Sequence, residues 1–209
     1  MAGSQSLKDT TYARILEDIL NYEYKPNQII TEKELVLKYG CSKSPVREAL
    51  ISLCNDGVLR SIPRCGYEVI RLTLDDVNQL QDYRRVLECG ILQSCYKKIT
   101  PRQLDKLREL DQKCTASQNM WEHWEDNTAF HLHLMFCSQN QYAFNQLKHA
   151  MTVLRRAYAQ LYWDRWNSLE PPSDTRFHQK ILESLAAGDV TQAVQALDDD
   201  LNDFGEVKN

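Results

Sequence analysis

The chain has no run of apolar residues long enough to span a bilayer. Its first residues, Met1-Ala-Gly-Ser-Gln-Ser6, lack the charged and apolar regions of a secretory signal. Seven cysteines, an odd number with no CxxC pair, argue against a disulfide framework and for reduced thiols in a cytoplasm. HExxH, nucleophile-elbow and phosphate-loop patterns are missing, so no common catalytic signature offers itself. No internal repeat or low-complexity tract stands out. Positive charge is also short, for the net charge is -4. The deficit is uneven. Residues 1–71 carry 10 Lys/Arg against 9 Asp/Glu, and the remainder carries 15 against 20. The N-terminal part is therefore close to neutral, and any polyanion it binds must be met by locally placed cations.

What the chain does have begins at residue 31. At 209 residues and 43% hydrophobic content there is room for one large or two modest domains. An amphipathic helix over about 8–21, with Tyr12, Ile15, Leu16 and Ile19 on one side, follows a loose start at 1–7. Thr31 with Glu34 three residues later is a capping-box start for a short helix carrying Leu35 inward, and Gly40 stops it. Ser42 or Ser44 is expected to cap a second helix, with Pro45 in its first turn and Val46, Ala49, Leu50 and Leu53 on its apolar side. Lys43, Ser44 and Arg47 stay at its exposed N-terminal end. Two alternating pieces, 58–61 and 67–70, flank the turn Pro63-Arg64-Cys65-Gly66, and read as a wing with Arg64 at its tip. A helix that enters the DNA major groove N-terminus first needs this arrangement. The expectation is a winged helix-turn-helix over residues 1–72.

Beyond Thr73 the pattern turns helical and stays so. Six helices are expected, at about 74–98, 101–117, 121–138, 142–165, 174–187 and 189–205, forming an all-helical antiparallel bundle over 73–209. Phe144, Leu147, Met151, Leu154, Tyr158 and Leu161 make a long stripe suited to core or helix contacts. Polar residues interrupt other stripes. Arg84 falls among Val77, Leu80, Leu87 and Ile91, where a buried guanidinium needs either Glu88, one turn on, or a bound carboxylate. Asn127 and His131 share a face with Phe130 and Leu134. His178 begins the inner face of the fifth bundle helix, and Asp200 interrupts Ala193, Ala196, Leu197, Leu201 and Phe204. Two imidazoles, a carboxylate and an amide from three helices suit zinc, manganese, nickel or iron. His123, His133 and His149 read as surface or core histidines.

The N-terminal motifs Ser42-Lys-Ser-Pro-Val-Arg-Glu-Ala-Leu50, Asp56-Gly-Val-Leu and Arg64-Cys-Gly-Tyr-Glu-Val69 resemble the GntR family of bacterial transcription regulators. The resemblance implies DNA contacts at Lys33, Lys43, Ser44, Arg47, Arg64 and Gly66. Lys33 and Lys43 stand where the family often has arginine, so a point contact replaces a fork. Tyr83-Arg-Arg-Val-Leu-Glu88, Asn127-Thr-Ala-Phe-His131 and His178 ahead of Gly188-Asp189 resemble the FCD ligand-binding domain of FadR-type members, in its shorter six-helix form. By position the family's metal ligands fall on Asn127, His131, His178 and Asp200. Two of these depart, because an aspartate has become Asn127 and a histidine has become Asp200.

These readings together describe a cytoplasmic homodimeric regulator, more readily a repressor than an activator. It would bind a pseudo-palindromic double-stranded DNA operator and a small carboxylate effector, held by a divalent transition metal or by Arg84. Two rivals stand beside it. One is a DNA-binding dimer with a degenerate, metal-free pocket, and the other a helical metalloenzyme using His131, His178 and Asp200. No membrane partner is expected.

Overall fold

The computed structural model describes residues 6–171 and 175–203. The expected loose start lies largely outside these residues, as do Phe204 and part of the connection 167–173. The chain folds as two compact units, one of residues 1–73 with 156–161 and one of 74–155 with 162–209.

In the first unit α1 (Leu7–Leu20) precedes β1 (Ile29–Ile30), α2 (Glu32–Tyr39), α3 (Lys43–Asn55), β2 (Leu59–Ile62) and β3 (Gly66–Val69). Thr31 and Glu34 close the expected capping box at the start of α2, and Gly40 ends it in the left-handed conformation (φ 63°). Ser42 occupies the cap position of α3 but its side chain makes no capping bond, and Ser44 donates to Glu48 instead. The reason is local: a cap oxygen accepts from the second or third helical N–H, and the third residue is Pro45, which has none. Ile15, Ile19, Leu35, Val46, Leu50, Leu53, Leu59 and Val69 form one buried core.

The wing strands sit one residue away from each expected span, and β1 adds a third strand that two residues are too short to announce. The sheet order is β1-β3-β2, antiparallel throughout, with Ile30 opposite Tyr67 and Ile62 opposite Gly66. Gly66 is required there. Its φ is +139°, and a Cβ would stand 2.5 Å from the carbonyl oxygen of Ile30.

The second unit is helical among the described residues: α4 (Leu74–Cys95), a single 3-10 turn (Tyr96–Lys98), α5 (Pro101–Ala116), α6 (Met120–Cys137), α7 (Gln141–Trp166, apart from its residues 156–161, which belong to the first unit), α8 (Arg176–Ala187) and α9 (Val190–Asp203). Thr100, Pro101 and Gln103 form a capping box with proline at the first position, and Asn119 and Asn140 cap α6 and α7. Gly188 ends α8 left-handed (φ 75°), and Asp189 accepts from Gln192 N at 3.0 Å. α8 packs on α9, α5 on α6, and α4 against α9 and α6. Leu92, Leu107, Phe130, Leu134, Ile181, Leu182, Ala193 and Leu197 fill the centre.

On α7, Leu147, Met151, Leu154 and Tyr158 are buried while Phe144 and Leu161 are half-buried, so the long stripe is mostly core. All four tryptophans gather in the second unit. Trp121 lies 4.7 Å from Trp166 and 5.3 Å from Trp163 between ring centroids, Trp124 lies 6.5 Å from Trp166, and the Arg155 guanidinium sits 3.9 Å above Trp121. The seven cysteines are free.

Candidate functional site

In the reader unit Lys33, Lys43, Ser44, Arg47 and Arg64 are exposed, and Gly66 is half-buried. Lys43, Ser44 and Arg47 project from the first turns of α3. Arg64 has a positive φ of 64° at the wing turn. Carboxylates accompany this surface. Arg47 Nε lies 3.3 Å from Glu32 Oε1, Ser44 donates to Glu48 Oε1 at 3.0 Å, and Arg60 pairs with Glu68 across the wing.

The helical unit buries a polar cluster in its core. The inner line of α4 runs Val77, Gln81, Arg84, Glu88, Leu92, Cys95. It is centred between the expected apolar positions, since Leu80, Leu87 and Ile91 are only half-buried. Polar residues can occupy that centre because they bond to one another. Arg84, 1% exposed, donates through Nε to Glu88 Oε1 at 2.8 Å and through Nη1 to Gln81 Oε1 at 3.2 Å. Its Nη2 is buried with no hydrogen-bond partner. The intrahelical partner anticipated for Arg84 is therefore present, and one donor remains open.

Glu88 has a second role. Its Oε2 lies 2.7 Å from His131 Nδ1, which directs the imidazole Nε2 toward Asp200 Oδ2 at 3.1 Å. His178 repeats the pattern, with Nδ1 3.3 Å from Asp111 Oδ1 and Nε2 3.6 Å from Asp200 Oδ1. Phe130 stacks on the His178 ring at 3.8 Å. The Asn127 side-chain nitrogen stands 3.4 Å from His178 Nε2, and an amide turned over would place its oxygen there. Ligand atoms of His131, His178 and Asp200 all fall within 4.8 Å of one another. The four residues singled out in the sequence thus converge, from α6, α8 and α9.

Burial by itself would lower the His131 pKa. The Glu88 charge and the bonds to Asp200 and Glu88 outweigh it and push the imidazole up to about 9. Burial would likewise raise Glu88 and Asp200, yet both carboxyls are held below their ordinary range, Glu88 chiefly by Arg84 and His131, Asp200 chiefly by the two histidines.

The donor set fits a divalent cation. Atoms sharing one ion at about 2.0–2.2 Å lie about 3–4 Å apart, close to the 3.1 and 3.6 Å seen between imidazole nitrogens and Asp200. Carboxylates behind both Nδ1 atoms fix the tautomers that leave Nε2 free to coordinate. Asp111 was not anticipated. Its signal was the buried spacing Leu107, Asp111, Cys114, a carboxylate placed where α5 turns inward. Of the remaining histidines His123 is buried against Cys114, with Nδ1 3.1 Å from the Cys114 carbonyl oxygen, His133 is half-buried and His149 exposed.

Comparison with known proteins defines the class. Residues 7–69 match the model for bacterial regulatory proteins of the gntR family, and residues 79–203 match the FCD domain. The chain belongs to the GntR family of DNA-binding transcription regulators, in the FadR-type architecture with an FCD domain. It is 23% identical over 207 residues to the HTH-type transcriptional repressor RspR of Escherichia coli K12, covering 97% of this chain and 89% of that one. It is 31% identical over 147 residues to the HTH-type transcriptional regulator YdhC of Bacillus subtilis, covering 68% and 66%. Its fold is similar to that of McbR/YncC of E. coli (TM-score 0.76, 20% identity, 96% of each chain). A GntR regulator from Rhodococcus sp. RHA1 gives 0.72 at 21% identity over 95% of each chain. These relatives are regulators, which sets the metalloenzyme reading aside. Among the described residues no helix is long and apolar enough to cross a membrane.

Proposed function

We propose that this protein is a homodimeric repressor whose DNA binding is controlled by a small organic acid held in the helical unit. Lys33, Lys43, Ser44, Arg47, Arg64 and Gly66 form the DNA-contacting surface, one half-site of a pseudo-palindromic operator per subunit, in the cytoplasm. The observation that carries the effector reading is the convergence of His131, His178 and Asp200 with a carboxylate behind each imidazole. These three side chains would hold a zinc, manganese, nickel or iron ion, with the Asn127 amide as a weaker fourth donor. The ion would supply a Lewis-acid seat for the effector carboxylate. Arg84, with its open Nη2, would bind a carboxylate oxygen directly. The repressor sign is supported by the name of the RspR relative.

The second copy would pack on a face of α4, α6 and the start of α7 that exposes Tyr83, Val86, Phe136 and Tyr142. A cavity of about 380 Å³, lined by Leu110, Leu132, His133, Phe136 and Phe144, opens beside it. The effector acts by its differential affinity for the two relative arrangements of the DNA readers.

One observation favours a second reading, a metal-independent pocket. Arg84 and protonated His131 already meet the charges of Glu88 and Asp200 without an added ion. Elemental analysis of untagged protein purified without chelator, beside His131→Ala, separates the two. About one transition metal per chain, lost in the variant, is the expected result. Metal in neither sample transfers effector binding to Arg84 alone.

A further inference from the structure

Glu32 is the first residue of α2, directly after the Thr31 cap, so its carboxylate stands at the positive end of that helix. From there it meets two other parts of the reader. Arg47 of α3 approaches its Oε1 with Nε at 3.3 Å, and the Tyr67 hydroxyl of β3 approaches the same oxygen at 3.5 Å. Tyr67 is itself fixed in the sheet opposite Ile30, and burial, with Glu32 adding to it, raises its phenol pKa. One carboxylate thus joins the first helix of the motif, the recognition helix and the wing.

The closest approach of Arg47 to Glu32 is through Nε, and the side chain remains 69% exposed. A guanidinium is planar, so holding one edge aims the other. Reading guanine needs that outer fork, with two parallel bonds to O6 and N7. A fixed negative charge beside the groove also opposes binding that depends on phosphates alone.

We infer that Glu32 is a positioning residue that sets the sequence specificity of this DNA reader: it orients the Arg47 fork and disfavours sequence-independent binding. The inference rests on Arg47 being a base-reading residue.

The test uses the full chain and a random-sequence duplex pool, with sequencing of the bound DNA. The selected duplex is then titrated against an unselected one over a range of salt. Wild type, Glu32→Gln, Glu32→Ala and Arg47→Ala are compared, after thermal melting has shown which variants fold. Glu32→Gln is expected to bind unselected DNA more tightly, with a salt slope steeper by up to about one. Its ratio of selected to unselected affinity should fall about 5-fold or more. Base preference should weaken at one position per half-site while half-site spacing is kept. A purely structural role would weaken both DNAs together. Unchanged selection and ratio in Glu32→Gln, with selection lost in Arg47→Ala, overturns the inference and leaves the role of Arg47 standing. Arg47→Ala that selects like wild type overturns both.

Discussion

Glu88 Oε2 lies 2.7 Å from His131 Nδ1 while Oε1 of the same carboxylate accepts from Arg84 at 2.8 Å. All three side chains are at most 2% exposed. One carboxylate is therefore shared by two buried basic side chains. Replacing it by alanine leaves Arg84 with Gln81 and His131 with Asp200 alone. Glu88→Ala should lose about 3–5 kcal/mol of unfolding free energy in urea titrations, and Glu88→Gln less, because the amide still occupies the volume and can accept one bond.

Asp111 acts on the proposed metal only through His178. Asp111→Asn should keep the fold yet weaken metal affinity about 10- to 100-fold in competition with a chromophoric chelator. Equal affinity would mean that Phe130 stacking alone orients the ring.

His123 supplies a further pH dependence, set chiefly by burial. Burial lowers its pKa, and the Cys114 carbonyl only partly offsets this. The unfolded chain then takes a proton near pH 6.5 that the folded chain refuses. The unfolded state binds more protons in the window below about 6.5, so this residue's contribution to stability falls as pH drops through it. An NMR titration should show the His123 ring protonating below the ordinary imidazole value of about 6.5; a midpoint above 6.5 would contradict the burial argument.

Gly66→Ala places a methyl against the Ile30 carbonyl and forces a side chain onto φ +139°. A cost of about 1–3 kcal/mol is expected, localised to the first unit, together with weaker DNA binding. Hydrogen exchange at the Ile30 and Tyr67 amides should report the frayed β1–β3 pair.

If the exposed face of α4, α6 and α7 is the subunit contact, a charge at its centre should break it. Val86→Lys and Phe136→Glu are each expected to give monomers by light scattering at concentrations where wild type is dimeric, with unchanged circular dichroism. Dimers in both variants would move the contact elsewhere.

Local rules made much of this fold legible. The caps at Thr31 and Thr100, and the left-handed stops at Gly40 and Gly188, each depend on a few adjacent residues. So does the helical periodicity of α6 and α7. The strand β1 escaped because two residues carry no alternation, and its pairing is fixed by Gly66 far along the chain. The axis of α4 was displaced for a related reason: a hydrophobic stripe cannot reveal that Gln81, Arg84 and Glu88 satisfy one another inside the core. His131, His178 and Asp200 each stood out as polar intrusions. Their meeting point depends on how α6, α8 and α9 pack, and the resemblance supplied it where spacing could not. Asp111 and Glu32 went unnamed because a single carboxylate on a helix gives no hint of what it faces.

The crowding of Trp121, Trp124, Trp163 and Trp166 has an optical consequence. Indole emission from this protein originates wholly in the helical unit, since residues 1–73 and 156–161 contain no tryptophan. Fluorescence would therefore follow the helical unit's unfolding in silence about the DNA reader. A denaturation curve recorded by emission and another by far-ultraviolet circular dichroism would part company wherever the two units melt separately.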